Sequence, residues 1–355
     1  MDGLPSQSTL SAPNSLDAEK KLCTAVLVVS TLSVLGGGWI ILSFIVVPSL
    51  RTFRHQLILG LGLSDFMMAL NVVLSTSMNL SGRHIWAEEQ HAFCSFNGFM
   101  NQMFVIQTDY WILIIAVCTY LILMDHTATA SWIQEYRVVL WCLPWILSTL
   151  WATLGLVLVG YGNIGAWCWF TSDRIRLLVN FTPRWAIIVI ILALYTRLCI
   201  FLYRSHKSIS SDYEISASAL PTELQQWQIL DGQAGIPGNC EAHSVYPSAT
   251  PLKNISRRMM IYPTVYALIW VIPTAVRIYH GTTGRQAPVA LSIIDNSCII
   301  SHGLADAIIY GSCHLYSKKS ARLIYIGANE RVRNGWLEKL HWRWRWPWRK
   351  DVQVV

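Results

Sequence analysis

Seven stretches of this chain stay apolar for the roughly 20 residues that a helix needs to cross a bilayer. They run Leu22–Val47, His55–Asn79, Cys94–Met124, Val138–Gly160, Phe181–Tyr203, Met259–Tyr279 and Pro288–Cys313, numbered here as spans one to seven. Everything between them is polar, short or both. The pattern predicts an all-α fold, a seven-transmembrane helix bundle, in three parts: a tail over 1–21, the bundle over 22–313 and a second tail over 314–355. The first twenty-one residues are polar and carry no apolar signal-peptide core, so span one reads as a retained signal anchor. Residues 204–257, rich in Ser, Pro, Gly and acidic side chains with little periodicity, read as a long flexible loop between spans five and six.

Composition agrees with the pattern. The chain of 355 residues is 53% hydrophobic and only 13% charged, with a mean hydropathy of +0.40, whereas a soluble domain carries about 25% charge. The net charge of +7 would suit nucleic acid or an anionic membrane. The basic residues fall in short runs between apolar spans, which favours the membrane surface. The terminal stretch HWRWRWPWRK could stack on bases, but indoles at an interface with arginines on anionic lipid are the simpler account, at about 1 kcal/mol per basic residue. No nucleic-acid partner is expected. No internal repeat is visible, which argues against repeat-built transporters.

Seven spans put the termini on opposite sides, and lysine and arginine set which is which. Lys20, Lys21, Arg83, Arg174, Arg176, Arg184, Arg277 and Arg285 fall on the N-terminal side, and the other nineteen of the twenty-seven on the C-terminal side. The N-terminus is therefore expected outside and the tail in the cytosol. In that topology Cys94, at the outer end of span three, and Cys168, in the loop between spans four and five, both face an oxidising compartment. A Cys94–Cys168 bridge would pin that loop over the bundle. Spacing alone does not separate a bridge from two independent thiols. The tryptophans flanking Cys168, Trp167 and Trp169, suit a water–lipid boundary.

Ionisable groups inside hydrocarbon cost about 2.5–3.5 kcal/mol each and need an explanation. Asp65 lies near the middle of span two and Asp109 near the middle of span three. In span seven Asp295, His302, Asp306 and Tyr310 share about a quarter of the helix circumference at ~100° per residue. Gln102, Asp109 and Tyr120 share a face of span three. These stripes are expected to meet in a wet centre, where Asp65 and Asp306 sit close and share a proton or a cation. Depth divides the roles: Gln102, Asp109, Asp295 and Asn296 are candidates for ligand contact, and Asp65, His302, Asp306 and Tyr310 for a switch. Interhelical glue, at about 0.6 kcal/mol per bond, is the alternative for any one of them. Pro263 and Pro273 should each free a backbone carbonyl in span six and allow a kink beside Trp270, or be ordinary membrane-helix prolines. Asn79 and Asn180 begin glycosylation sequons at the outer edge.

A family resemblance rests on four stretches: LGLSDF (Leu61–Phe66), GAWCWF (Gly165–Phe170), RRMMIYPTVYALIWVIP (Arg257–Pro273) and HGLADAIIYG (His302–Gly311). Together with the two outer cysteines they resemble the cyclic-AMP-receptor-like G protein-coupled receptors, a group that includes fungal glucose- and nutrient-sensing receptors. The chain departs from that group in carrying Asp306 where many members have Asn. It also reads LMDHTA (Leu123–Ala128) after span three, where rhodopsin-like receptors have an Asp-Arg-Tyr triplet. The resemblance implies a multi-pass plasma-membrane receptor, not an enzyme. Its expected ligand is a small extracellular molecule and its partner a heterotrimeric G protein. Arg54, Arg257, Arg258 and Lys318 would face that partner, and no cofactor or metal is implied.

Other functions fit less well. A retinal protein needs a lysine in its last span, and none of the lysines lies inside a span. An intramembrane zinc hydrolase needs several deep histidines, and His302 alone is deep. A transporter or proton channel built on the buried carboxylates remains the alternative class, and substrate-dependent currents without a G protein would identify it. Arg174, Arg176, Arg184, Arg277 and Arg285 could form an outer cluster for an anionic ligand, or snorkel to the lipid interface.

Overall fold

The computed structural model describes residues 15–48, 51–124, 135–218 and 250–312. Among the described residues six helices are long and apolar enough to cross a membrane, and span seven is helical in two pieces. Lys318, the HWRWRWPWRK tail, Cys240 and Cys313 lie outside the described residues. Residues up to Ile309 form one compact unit and Tyr310–Val355 a second, of which 310–312 are described and helical.

Span one is a helix over Leu16–Val46. It starts earlier than the hydropathy edge because Ser15 caps it, accepting from the Ala18 amide at 3.2 Å, with Asp17 and Glu19 in the positive first turn. Span two is Phe53–Leu80, span three His91–Leu123 and span four Arg137–Leu158. Span three is the hub, packing on spans two, four, five and six, while span one packs on spans two and seven.

Span five is longer than the apolar pattern indicates. A helical turn at Asp173–Arg176 leads into a π-turn at Leu177–Phe181 and then a helix over Thr182–Ser218. The expectation of a flexible loop from residue 204 is therefore corrected at both ends, since the next helix already begins at Thr250. Once a helix is nucleated by an apolar span, extending it adds one hydrogen bond per residue fixed, so polar residues can follow it. Residues 219–249 lie outside the described ones.

Span six is interrupted at Trp270, between helices Thr250–Ile269 and Val271–Thr283. Pro273 has no N–H to offer the Ile269 carbonyl, so the interruption falls where proline chemistry puts it. Pro263 sits inside a continuous helix and causes no break. Gly284 closes the span in a left-handed conformation, φ 63°, its amide bonded to the His280 carbonyl.

Span seven also departs from the expected single helix. It runs Val289–Ile300, turns at Ser301 and resumes over 302–312. The cause is a side chain from span one. Ser33 donates its hydroxyl to the Ile300 carbonyl at 2.5 Å and accepts from the Leu304 amide at 3.3 Å, so it is inserted into the ladder where those two groups would pair directly. Small residues allow this approach: a Cβ on Gly36 would come within 2.6 Å of the Gly303 carbonyl oxygen.

Candidate functional site

The outer cap is built from the loop between spans four and five. Gly160, at φ 78°, ends span four, and a two-stranded hairpin follows, β1 (Gly162–Asn163) against β2 (Cys168–Trp169). Gly165 takes φ 118° at its tip, and its amide donates to the Asn163 side chain at 2.9 Å. Cys168 is bonded to Cys94, with 5.4 Å between the Cα atoms. Polar side chains of spans two and three hold the hairpin strand by strand. Ser75 donates to the Ala166 carbonyl, Asn79 to the Gly165 carbonyl, and Asn97 accepts from the Cys168 amide at 2.8 Å. Tyr161 donates to the Ala152 carbonyl at 2.8 Å, and burial pushes its phenol above the usual range.

Trp167 and Trp169 are buried within the protein, not placed at a lipid boundary. The reason is polar: the Trp169 indole donates to Gln102 at 2.5 Å, so the ring is drawn inward over span three. Both sequon asparagines also point inward. Asn79 is engaged with the hairpin, and Asn180 accepts from Gln102 at 3.0 Å.

Below the hairpin a polar column descends between spans three, five, six and seven. Arg176, Asn180 and Arg184 of span five are all buried, each four residues from the next and so on one face. Arg277 of span six donates to Asp295 of span seven at 2.8 Å, both buried. Arg184 forms a bidentate pair with Asp109 of span three, Nε at 3.0 Å and Nη2 at 2.9 Å. Tyr266 of span six donates its hydroxyl to the same carboxylate. The Arg184 guanidinium lies 3.5 Å from the centroid of the Trp270 ring, which stacks on His302 of span seven at 5.7 Å. Tyr266 and His302 are 5.6 Å apart. One buried cation thus touches groups from spans three and six, and the ring on it touches span seven.

Deeper still, the Asp65 and Asp306 carboxyl groups are both buried and lie close to each other, and Thr108 of span three donates to Asp65 at 3.0 Å. Two carboxylates in contact in a buried site cannot both stay ionised unless a cation joins them.

The candidate residues therefore separate. Gln102 and Asp109 each contribute to the polar column, in separate hydrogen-bonded sets, and Asp295 is engaged with Arg277. Asn296 spends its amide on the Ser292 carbonyl of its own helix. Tyr120 is half-buried on span three. Tyr310 falls in the second unit. Arg54 is half-buried at the start of span two, and Arg257 and Arg258 lie in the first turns of the helix that carries span six. Arg174 and Arg285 are exposed, whereas Arg176, Arg184 and Arg277 are interior, so these three are not lipid-interface snorkellers. Sequence reasoning missed the Arg184–Asp109–Tyr266 connection. The signal was present in the spacing of Arg176, Asn180 and Arg184.

Comparison with known proteins decides the family. Residues 19–209 match the family model described as G protein-coupled glucose receptor regulating Gpa2, and residues 250–313 match the model of its C-terminal part. The chain belongs to this receptor family. A relative named ascaroside receptor GPR2, from Arthrobotrys oligospora, is 34% identical over 394 residues covering 93% of each chain. Cyclic AMP receptor-like protein A of Dictyostelium discoideum is 26% identical over 46% of this chain and 41% of its own. Squid rhodopsin has the same fold, with a TM-score of 0.58 at 15% identity, covering 92% of this chain and 88% of its own. The protein is accordingly a multi-pass membrane receptor of the cyclic-AMP-receptor-like group, with a G protein as its partner, and not an enzyme.

Proposed function

We propose that the receptor sits in the plasma membrane with its N-terminus outside and takes a small metabolite beneath the hairpin, among the outer halves of spans three, five, six and seven. The observation that supports this reading is the succession of two buried polar groups, Gln102 with Asn180 and then Asp109 with Arg184, Tyr266 and Trp270. Lipid-facing helices have no use for such a column, since each buried charge costs free energy unless paired. It links the outer end of the bundle to the interruption in span six, where a change of contacts can tilt the cytosolic half of that helix. Asp65, Asp306 and His302 lie on the route inward and serve as the switch. The cytosolic ends of spans two and six, with Arg54, Arg257 and Arg258, face the G protein.

Glucose, ascarosides and cyclic AMP figure in the family and relatives' names, so the ligand is tested as a metabolite panel. Purified receptor is combined with candidate Gα subunits, a Gpa2-type subunit first, and guanine-nucleotide exchange is followed. The reading expects exchange that rises with one metabolite and loses that dependence in Gln102→Ala. A metabolite response untouched by any substitution in the column would place the ligand elsewhere.

A further inference from the structure

The polar column holds more hydrogen-bond donors than the protein itself uses. Arg184 commits Nε and one amino group to Asp109, while its other amino nitrogen, Nη1, is buried with no hydrogen-bond partner among the described residues. One turn earlier, Asn180 gives its side-chain carbonyl to Gln102, and its amide nitrogen is also buried and unpartnered. The Trp270 ring, stacked on the Arg184 guanidinium, keeps its indole N–H in the same condition. Arg184 is 0% exposed, Asn180 1% and Trp270 2%, so bulk water does not reach them. About nine buried polar groups in ten find a partner, and each exception calls for a cause. Here Arg184 and Trp270 are in ring contact and Asn180 stands one turn before Arg184; all three orphan atoms are donors, and the His302 ring stacked on Trp270 adds an unpartnered Nε2.

Two further features point to a built site. Asn180 stands on the π-turn Leu177–Phe181, an interruption of the kind that recurs at functional positions. The buried side chains of the column also lean positive, with Arg176, Arg184 and Arg277 against Asp109 and Asp295.

We propose that Arg184 Nη1, Asn180 Nδ2 and Trp270 Nε1 form the subsite for an anionic group of the ligand, a carboxylate or a phosphate ester. The inference rests on the ligand position argued above. A neutral hydroxyl offers two lone pairs and brings a donor of its own, whereas an ionised carboxylate is acceptor-only with about four sites. Its bonds to a guanidinium are charge-assisted and roughly twice as strong as neutral ones. The same event reaches the switch. An anion on Nη1 shares the guanidinium charge with Asp109 and so alters the Arg184–Asp109–Tyr266 set, which joins spans five, three and six.

The test uses full-length receptor in phosphatidylcholine nanodiscs. Gluconate, benzoate and octyl phosphate are each titrated against a neutral counterpart, glucose, benzamide and octanol. Thermal midpoint and nucleotide exchange are read. At least one acid should raise the midpoint where its counterpart does not, and whether a carboxylate or the phosphate does so separates the two anion types. Asn180→Ala should weaken that acid about tenfold. The charge-balanced Arg184→Gln/Asp109→Asn receptor should lose the response; if it does not fold, Asn180→Ala carries the test. Equal effects of acid and counterpart, no effect of any acid, or unchanged acid affinity in Asn180→Ala overturns the proposal and leaves a structural water as the partner of these donors. A neutral compound that binds and is weakened by Gln102→Ala removes the anionic subsite alone. Binding that no column substitution alters removes the ligand position as well.

Discussion

Arg184 enters the bundle two residues after the start of the long helix of span five and is completely enclosed there. Its pairing with Asp109 decides what single substitutions do. Asp109→Ala leaves a guanidinium buried without its counter-charge, which costs about 3–5 kcal/mol. The expected outcome is a clearly lowered thermal midpoint in detergent, and the neutral pair Asp109→Asn/Arg184→Gln should recover part of that loss. If the single and double variants are equally destabilised, the pair is not the source. Sequence spacing located Asp109 at mid-depth because depth follows from position in a span. It did not name Arg184 as the partner, because hydropathy gives no information about which faces of two helices meet. The same gap explains Trp167 and Trp169: their type suited an interface, but the Gln102 acceptor that draws Trp169 inward lies sixty-seven residues away in the chain.

Whole elements were legible where the signal was apolar length and obscure where polar residues decided the outcome. The seven apolar stretches follow from pattern, and the expected topology put Cys94 and Cys168 on one side without deciding that they pair, whereas the hub position of span three had no signal in the sequence. The break in span seven does not, since it depends on one serine of span one reaching Ile300 and Leu304. That contact predicts the effect of Gly36→Ala, whose new methyl would stand 2.6 Å from the Gly303 carbonyl oxygen. Spans one and seven must separate, at about 1–3 kcal/mol, and Ser33→Ala should cost less, about 1 kcal/mol, because the Ile300 carbonyl and Leu304 amide that lose its hydroxyl can pair with each other. Thermal midpoints of the two variants check the order. For the hairpin, a bridge closing 74 residues restricts the unfolded chain by roughly 4 kcal/mol in the chain-entropy account. Cys94→Ala/Cys168→Ala is expected to lower the midpoint, and a reductant is expected to lower the midpoint of the wild type but not of this variant.

At the scale of the molecule, the receptor is a bundle whose halves are joined through span three and whose sixth member is already divided at Trp270. Pro273→Ala restores a donor toward the Ile269 carbonyl and should straighten that division. The outcome expected is reduced ligand-driven nucleotide exchange with ligand affinity little changed, whereas Pro263→Ala, in an unbroken helix, should have a smaller effect. Equal effects of the two would separate the interruption from signalling.

The hairpin between spans four and five is tied to the bundle by a covalent bond and by side chains from two helices. In the ligand position proposed above, a metabolite lies under that cover, and release is expected to require that it lift. On that proposal departure is expected to be slow however weakly the compound is held at equilibrium, so that the response would average the surroundings over the residence time. Signal decay after washout should accelerate in Cys94→Ala/Cys168→Ala, which sets the memory of the receptor by the cover and not by the contacts below it.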